Sequence, residues 1–285
     1  MGVTEQQEED AKASVMDTAH WIATYRAMES QREDALFCDP FAARLAERAG
    51  ALPAGIPPWP MIVRTKTIDD LVEAAIGEGV DCVLNLAAGL DTRPYRLNLP
   101  PELTWIEADL PRTVEEKNRL LADATPRCRL IRRKVDLLDV EARKSFLDEV
   151  LADAPRTLVI TEGFLLYLEN RDVESLALEL AKRPQIVAWI ADIVSPGLLR
   201  KLRRQTDTVL AERDRMRFGP ANGVLFYEDC GWTAVDIRSA IAEGRKFNRL
   251  PFFFRLLSLL PDADPRSPGN RPWGAVVRLE PRRSA

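Results

Sequence analysis

The chain has 285 residues, 46% of them apolar and 29% charged, a balance that suits a soluble globular protein with a sizeable core and room for one large α/β domain. Lys and Arg number 40 against 44 Asp and Glu, and the net charge of −4 argues against nucleic acid as the main partner, because phosphate binding draws on clustered positive charge. The four cysteines, Cys38, Cys82, Cys128 and Cys230, form no C-x-x-C pair and the one histidine is His20, so the sequence predicts no metal site and reduced thiols in a cytoplasmic protein.

Residues 1–10 are polar and acidic, without the basic start and apolar stretch of a secretory signal, and Gln6 stands where a myristoylation signal wants Ser or Thr. After this polar lead, Val15, Ala19, Ile22 and Tyr25 share one helical face. A second helix is expected to start at Asp39-Pro40, Asp as N-cap and Pro in the first turn, and to stop at Gly50. Residues 51–60 hold four prolines and a glycine and read as loop. Ile68, Leu71, Val72 and Ala75 then mark a helix that Gly77 and Gly79 end.

From there the period changes. Short apolar runs at Cys82–Leu86, Leu103–Ala108, Leu130–Val135, Leu158–Ile160 and Ile186–Ala191 are separated by helical stretches, most clearly 112–123, 139–152 and 171–183. Strands alternating with helices mean β-α-β units, a parallel sheet covered on both faces and a doubly wound, Rossmann-like fold. Residues 197–217 read as one long Arg-rich helix with Leu202, Val209 and Met216 on a stripe, and Thr233–Ile237 and Ala275–Leu279 as closing strands around a helix at 238–245. No apolar run approaches the ~20 residues of a membrane span; Leu250–Leu260 is short and carries Arg255, so no membrane partner is expected.

Ligands of an open parallel sheet bind beyond the carboxyl ends of its strands. Those ends read Asn85-Leu86-Ala87-Ala88-Gly89-Leu90-Asp91, Glu107-Ala108-Asp109, Val135-Asp136-Leu137 and Thr161-Glu162-Gly163. Small residues at 87–89 let the backbone approach a ligand. Asp109, 20 residues past Gly89, stands near the spacing at which a carboxylate accepts from a ribose diol. Asp136 suits an adenine amino group and Leu137 the ring face. A lone acid at a strand end is more often a solvated turn, but four such ends in register describe a nucleoside cofactor across the sheet. The dinucleotide pattern G-x-G-x-x-G is absent, since only Gly89 remains, and Asp91 brings negative charge where a pyrophosphate would sit. S-adenosyl-L-methionine, with a sulfonium, an ammonium and no phosphate, fits these residues better than NAD.

The same segments resemble a known family. Leu86 to Arg93 with Tyr95-Arg96-Leu97, Glu107-Ala108-Asp109-Leu110-Pro111 with Lys117, Val135-Asp136-Leu137, and Thr161 to Leu168 are similar to motifs of the leucine carboxyl methyltransferase-like family, whose bacterial branch uses S-adenosylmethionine. Tyr25 to Ser30, Asp34 to Pro40 and Arg64 to Asp69 resemble its N-terminal cover and the helix before its first strand. The matches run from about residue 20 to 170. The resemblance implies a class I methyltransferase, a seven-stranded sheet with the last strand antiparallel. It also implies a chain organised as one methyltransferase domain: N-terminal helical cover at 1–79, cofactor core at 80–195, substrate-side insertion and closing strands at 196–285.

It further implies that Arg64 meets the methionine carboxylate, Ala87, Ala88 and Gly89 pass close to the cofactor, Asp109 holds the ribose, Asp136 and Leu137 hold the adenine, and Glu162 lies near the ammonium. The family's first loop glycine is Ala87 here, which leaves open a weakly binding or non-catalytic relative. Tyr167 is the candidate substrate contact; no catalytic base is assigned, and His20 reads as a surface or packing residue. Trp21, Trp59, Phe218, Phe226 and Phe252 to Phe254 are core residues by default and candidates for the acceptor pocket. Arg132, Arg133 and Lys134 read as a solvated edge. The expected activity is O-methylation of a carboxylate or acidic hydroxyl on a small metabolite; the alternative is an NAD-dependent oxidoreductase on the same fold. The acceptor and the oligomeric state are not specified.

Overall fold

The computed structural model describes residues 15–49, 52, 56–206 and 209–282. The polar lead and the stop at Gly50 lie outside the described residues. Three helices come first: α1 (Val15–Ser30), α2 (Ala42–Ala46) and α3 (Trp59–Gly77). The core follows as β1 (Cys82–Leu86), α4 (Arg93–Arg96), β2 (Thr104–Asp109), α5 (Pro111–Leu120), β3 (Arg129–Lys134), α6 (Val140–Leu151), β4 (Thr157–Thr161), α7 (Asn170–Ala181) and β5 (Ile186–Val194). Then come α8 (Pro196–Thr206), α9 (Leu225–Asp229), β6 (Trp232–Ser239), α10 (Ala240–Lys246), α11 (Phe252–Leu257) and β7 (Gly274–Pro281).

The seven strands form one sheet in the order β3-β2-β1-β4-β5-β7-β6. The pairs among β1–β5 are parallel, and β7 runs antiparallel to both β5 and β6. Neighbouring residues of each inner strand feed opposite faces, as the period of two requires. Val83, Trp105, Leu158, Ile160 and Ile190 pack under α3 with Ile68, Leu71, Val72 and Ala75. Leu84, Leu86, Ile106, Val159 and Trp189 pack on the other face against Phe146, Leu147 and Leu151 of α6 and Val173, Leu176 and Leu180 of α7. Helices on both faces make the sheet doubly wound. β3 is an edge strand, and Arg132, Arg133 and Lys134 reach Glu107, Glu149 and Glu115, the charged dressing by which an exposed edge resists pairing.

Three predicted elements come out differently. The second helix begins at Ala42, because the Asp39 carboxylate accepts from Arg26 Nε (2.8 Å) and Thr92 Oγ1 (2.6 Å) and from the Phe41 backbone N–H (3.0 Å), a turn rather than a helix cap. β5 extends past Ala191 to Val194, paired by β7. The long helix expected over 197–217 ends at Thr206, where the Thr206 carbonyl accepts from the amides of Val209 and Leu210. Beyond it Leu210 and Met216 turn inward onto Trp21 and Leu199, and the amides of Arg217 and Phe218 bind the Leu166 carbonyl. The apolar stripe is real, but a folded-back loop carries its second half.

Candidate active site

The carboxyl ends of β1, β2, β3 and β4 open into one cavity of about 520 Å³. Arg64, Ala87, Ala88, Gly89, Asp109, Asp136, Leu137, Glu162 and Tyr167 all line it. Parallel register places them there. Asn85 pairs with Glu107 and Ile160, so the loops after β1, β2 and β4 leave the sheet at one level.

At the centre the backbone is bent and tied. Ala87 has φ 54 and Gly89 φ 47, both left-handed. The Ala88 N–H donates to the Ala108 carbonyl at 3.3 Å and the Gly89 N–H to Asp109 Oδ2 at 2.7 Å. The methyl group of Ala87 packs partly against the sheet core while its residue still borders the cavity, so the side chain is accommodated. Burial pushes the Asp109 carboxyl above its ordinary pKa, against the opposing pull of the Gly89 and Leu110 amides. A carboxylate held this way has acceptor capacity left for a diol. Asp136 is exposed at the rim, its Oδ1 accepting from the Leu138 amide at 2.9 Å, beside the buried Leu137.

A second cluster closes the far side. Arg64 donates from Nε to Glu162 Oε1 at 3.0 Å and from Nη1 to Asp192 Oδ2 at 3.2 Å. Gly163, at φ 65, leaves room for that guanidinium: a Cβ there would lie 3.3 Å from Arg64 Nη2. Asp192 Oδ1 also accepts from the Gly163 N–H at 2.8 Å. Arg93, 2% exposed in its side chain, reaches Asp91 Oδ2 (2.9 Å), Asp69 Oδ1 (2.7 Å) and Glu162 Oε2 (2.7 Å). Burial opposes ionisation of Asp91 and Glu162, yet the neighbouring Arg93, with Lys117 for Asp91 and Arg64 for Glu162, holds both carboxyls below their ordinary values. The charge of Asp91 is therefore matched by Arg93 rather than left facing a ligand.

The remaining wall is mostly apolar: Met16, Trp21, Ile22, Ile56, Met61, Leu166, Leu202 and Met216, with the polar groups of Thr18, Tyr25, Thr206 and Asp214. Burial raises the Tyr167 pKa, only partly offset by a Thr18 hydrogen bond and by Arg64. Of the aromatic residues expected around an acceptor, only Trp21 is there. Trp59 packs on Phe254 with ring centroids 5.5 Å apart, and Phe218 on Phe226 at 5.0 Å, so their ring area goes to side-chain packing. Phe252 and Phe253 are exposed. His20 is buried away from the cavity, its Nδ1 2.6 Å from the Leu45 carbonyl oxygen and its Nε2 3.5 Å from Glu116.

Sequence reasoning passed over Asp192, Arg93 and Asp214. Asp192 had a signal: it is the one acid in the otherwise apolar Ile186–Val194. The other two sit in sequence too polar to distinguish them.

A doubly wound sheet whose seventh strand is reversed between β5 and β6, with a carboxylate-rimmed cavity over β1, β2 and β4, is the architecture of a class I methyltransferase. The family model of leucine carboxyl methyltransferase matches residues 19–181, and the chain belongs to that family. A Streptomyces coelicolor protein provisionally named as an S-adenosyl-L-methionine-dependent methyltransferase is 36% identical over 199 residues, covering 64% of this chain and 69% of the relative. A Mycobacterium tuberculosis protein with the same provisional name is 33% identical over 193 residues, covering 61% of this chain and 64% of the relative. Among solved structures, a provisionally named methyltransferase from Thermobifida fusca superposes with a TM-score of 0.57 at 17% identity, covering 99% of this chain and 100% of that one. A DUF574 family protein from Streptomyces avermitilis gives 0.56 at 14% identity, covering 95% and 99%. These two likenesses concern the fold.

Proposed function

We propose that this S-adenosyl-L-methionine-dependent methyltransferase methylates a carboxylate or acidic hydroxyl oxygen on a small, largely apolar metabolite. The observation that carries the reading is the placement of His20. The chain has one histidine, and it is buried against Leu45 and Glu116, outside the cavity lining. An acceptor that must lose a proton of high pKa needs a base of matched strength. A carboxylate needs none, and an acidic hydroxyl needs no more than a carboxylate such as Asp214.

The residues fit the cofactor. Asp109, fixed by the Gly89 and Leu110 N–H groups, would accept from the ribose hydroxyls, and Asp136 with Leu137 would hold the adenine. Glu162 and Asp192 hold Arg64 so that its remaining donors can meet a carboxylate while Glu162 meets an ammonium. When bound, S-adenosyl-L-methionine supplies a methyl carbon activated by its sulfonium. The chain's part is to align the acceptor oxygen behind that carbon and to exclude water, and the apolar wall from α1, α8 and the 209–216 loop suits both tasks. The N-terminal helices and the region after residue 195 thereby supply the acceptor side of a single methyltransferase domain. The nicotinamide alternative finds no support: the loop after β1 leads into a helix of only four residues, Arg93–Arg96, too short to offer a pyrophosphate a strong dipole.

Calorimetry with S-adenosyl-L-methionine, S-adenosylhomocysteine and NAD, followed by methyl release onto a panel of carboxylic acids, phenols and alcohols, tests the reading. The expected result is binding of the first two ligands and turnover confined to carboxylic acids and acidic phenols, kept in His20→Ala. Turnover of unactivated alcohols that rises steeply through neutral pH and vanishes in a folded His20→Ala protein would sink it.

A further inference from the structure

The run Leu250–Leu260, too short to span a membrane, reappears on the surface. Phe252, Phe253, Leu256, Leu257, Leu259 and Leu260 are all exposed, at 79% for Phe252, 65% for Phe253 and 67% for Leu259. They make up α11 and the turn after it, and α11 has no buried residue of its own. Single exposed apolar residues are ordinary, but a contiguous set of six large ones marks an interaction surface. Of the run, Leu250 is buried beside Trp59 and Phe254 faces inward onto the same ring.

The charges within this stretch are basic, with acids only at its ends: Glu243 before it and the exposed Asp262 and Asp264 after it. From Arg245 to Pro261 there is no acidic residue, while Arg245, Lys246, Arg249 and Arg255 are basic. Arg249 is engaged by Glu29 and Asp34, and Lys246 by Glu243. Arg245 and Arg255 bind only neutral oxygens among the described residues: Arg245 the Ser258 carbonyl, Arg255 the Leu250 carbonyl and the Asn248 amide. Helix α8 adds to the rim. Its inner face, Leu199, Leu202 and Thr206, packs inward or lines the cavity. Its exposed residues include Arg200, Lys201 and Arg204, and Lys201 Nζ stands 6.0 Å above the Phe254 ring.

Exposed Phe and Leu beside Arg245, Arg255 and Lys201, which no carboxylate among the described residues engages, are the chemistry of a segment that lies in a bilayer interface. The rings and branched chains enter the acyl boundary while the cations meet anionic headgroups. A second copy is a poorer occupant. A two-fold contact sets the same patch against itself, and Arg245, Arg255 and Lys201 would face the same cations across the interface. We infer that α11, the turn after it and the outer face of α8 dock the protein on an anionic lipid bilayer. The docking is peripheral, since among the described residues no helix is long and apolar enough to cross a membrane. It is independent of which oxygen the enzyme methylates.

The test is co-sedimentation of the full chain with vesicles of phosphatidylcholine alone and with roughly one-third phosphatidylglycerol, the fraction at which a surface becomes strongly anionic. Two variants accompany it: Phe252→Ser with Phe253→Ser and Leu256→Ser, and Lys201→Glu with Arg255→Glu. Neither touches the cavity lining, so thermal unfolding and S-adenosyl-L-methionine affinity should match the parent. The expected result is partition onto anionic vesicles that weakens with salt, with little onto neutral ones. The apolar variant should lose it by at least about tenfold and the charge variant by about tenfold. No partition of the parent, or equal partition onto neutral vesicles, overturns the inference. So does a parent dimer in sedimentation velocity that the apolar variant converts to monomer, because the face then belongs to a second copy. If the apolar variant fails to fold, the charge variant decides: anionic-vesicle binding retained in it overturns the inference as well.

Discussion

Ala87 holds a backbone conformation, φ 54, that L-residues adopt only at a cost of about 1–2 kcal/mol, because Cβ crowds the neighbouring carbonyl. The strain persists because both sides of the residue are fixed: Leu86 ends a buried strand, and the Ala88 and Gly89 amides are bonded to Ala108 and Asp109. Glycine would remove the strain and give back about 0.4–1 kcal/mol through the greater freedom of its unfolded chain. Ala87→Gly should therefore stabilise by about 0–1.6 kcal/mol, the difference between those two effects, with S-adenosyl-L-methionine affinity unchanged or tighter. Urea midpoints and calorimetry measure this. A loss of stability, or weaker cofactor binding, would mean that the methyl group makes a contact worth more than the strain.

Among the elements, the buried Arg93 is the joint between α3, the loop after β1 and the end of β4, through Asp69, Asp91 and Glu162. Removing one partner from a buried charge cluster leaves the others uncompensated, which typically costs about 3–5 kcal/mol. Arg93→Ala should lose that much in urea denaturation. Arg93→Lys should recover only part of it, since an ammonium cannot reproduce the planar fork that meets three carboxylates. Full stability in Arg93→Lys would show that charge alone is needed. This joint also marks where sequence reading stops. β1, β4 and β5 are legible because each is a short apolar run between helices, and the loop residues 87–89 and 109 follow once a parallel sheet is accepted. Arg93 meets Asp69 and Glu162 across 24 and 69 positions, so only the folded register reveals why an Arg two residues past Asp91 should be buried. The end of α8 was missed for a related reason: Val209 and Met216 keep a helical spacing although the chain has turned back onto Leu166.

At the scale of the whole molecule, the carboxyls of Asp39, Asp91 and Glu162 and that of Asp109 respond to acid in opposite ways. Burial works against ionisation of Asp39, Asp91 and Glu162, but Arg26 for Asp39, Arg93 for Asp91, and Arg93 with Arg64 for Glu162 overcome it, and all three lie below their ordinary pKa. Such a group takes up protons more readily once unfolded. Its contribution to stability is complete above the unfolded value, about 4, and drains away as pH falls toward the folded one. Asp109 runs the other way. Burial raises its carboxyl, so it protonates at a higher pH in the folded chain than in the unfolded chain, and that step costs the fold nothing. It does convert the carboxylate proposed to hold the ribose into a carboxylic acid with less acceptor capacity. Acidification should thus act in two stages, with S-adenosyl-L-methionine affinity falling first while the urea midpoint holds, and the midpoint collapsing only at lower pH. Asp109→Asn should bind the cofactor about tenfold more weakly at neutral pH, the range for losing a charge-assisted hydrogen bond, and its affinity should no longer change across the first stage. Calorimetric affinities and urea midpoints taken together from neutral pH downward test the order. Simultaneous loss of binding and stability, or an acid limb that survives in Asp109→Asn, would place the sensitivity at the Arg93 cluster instead.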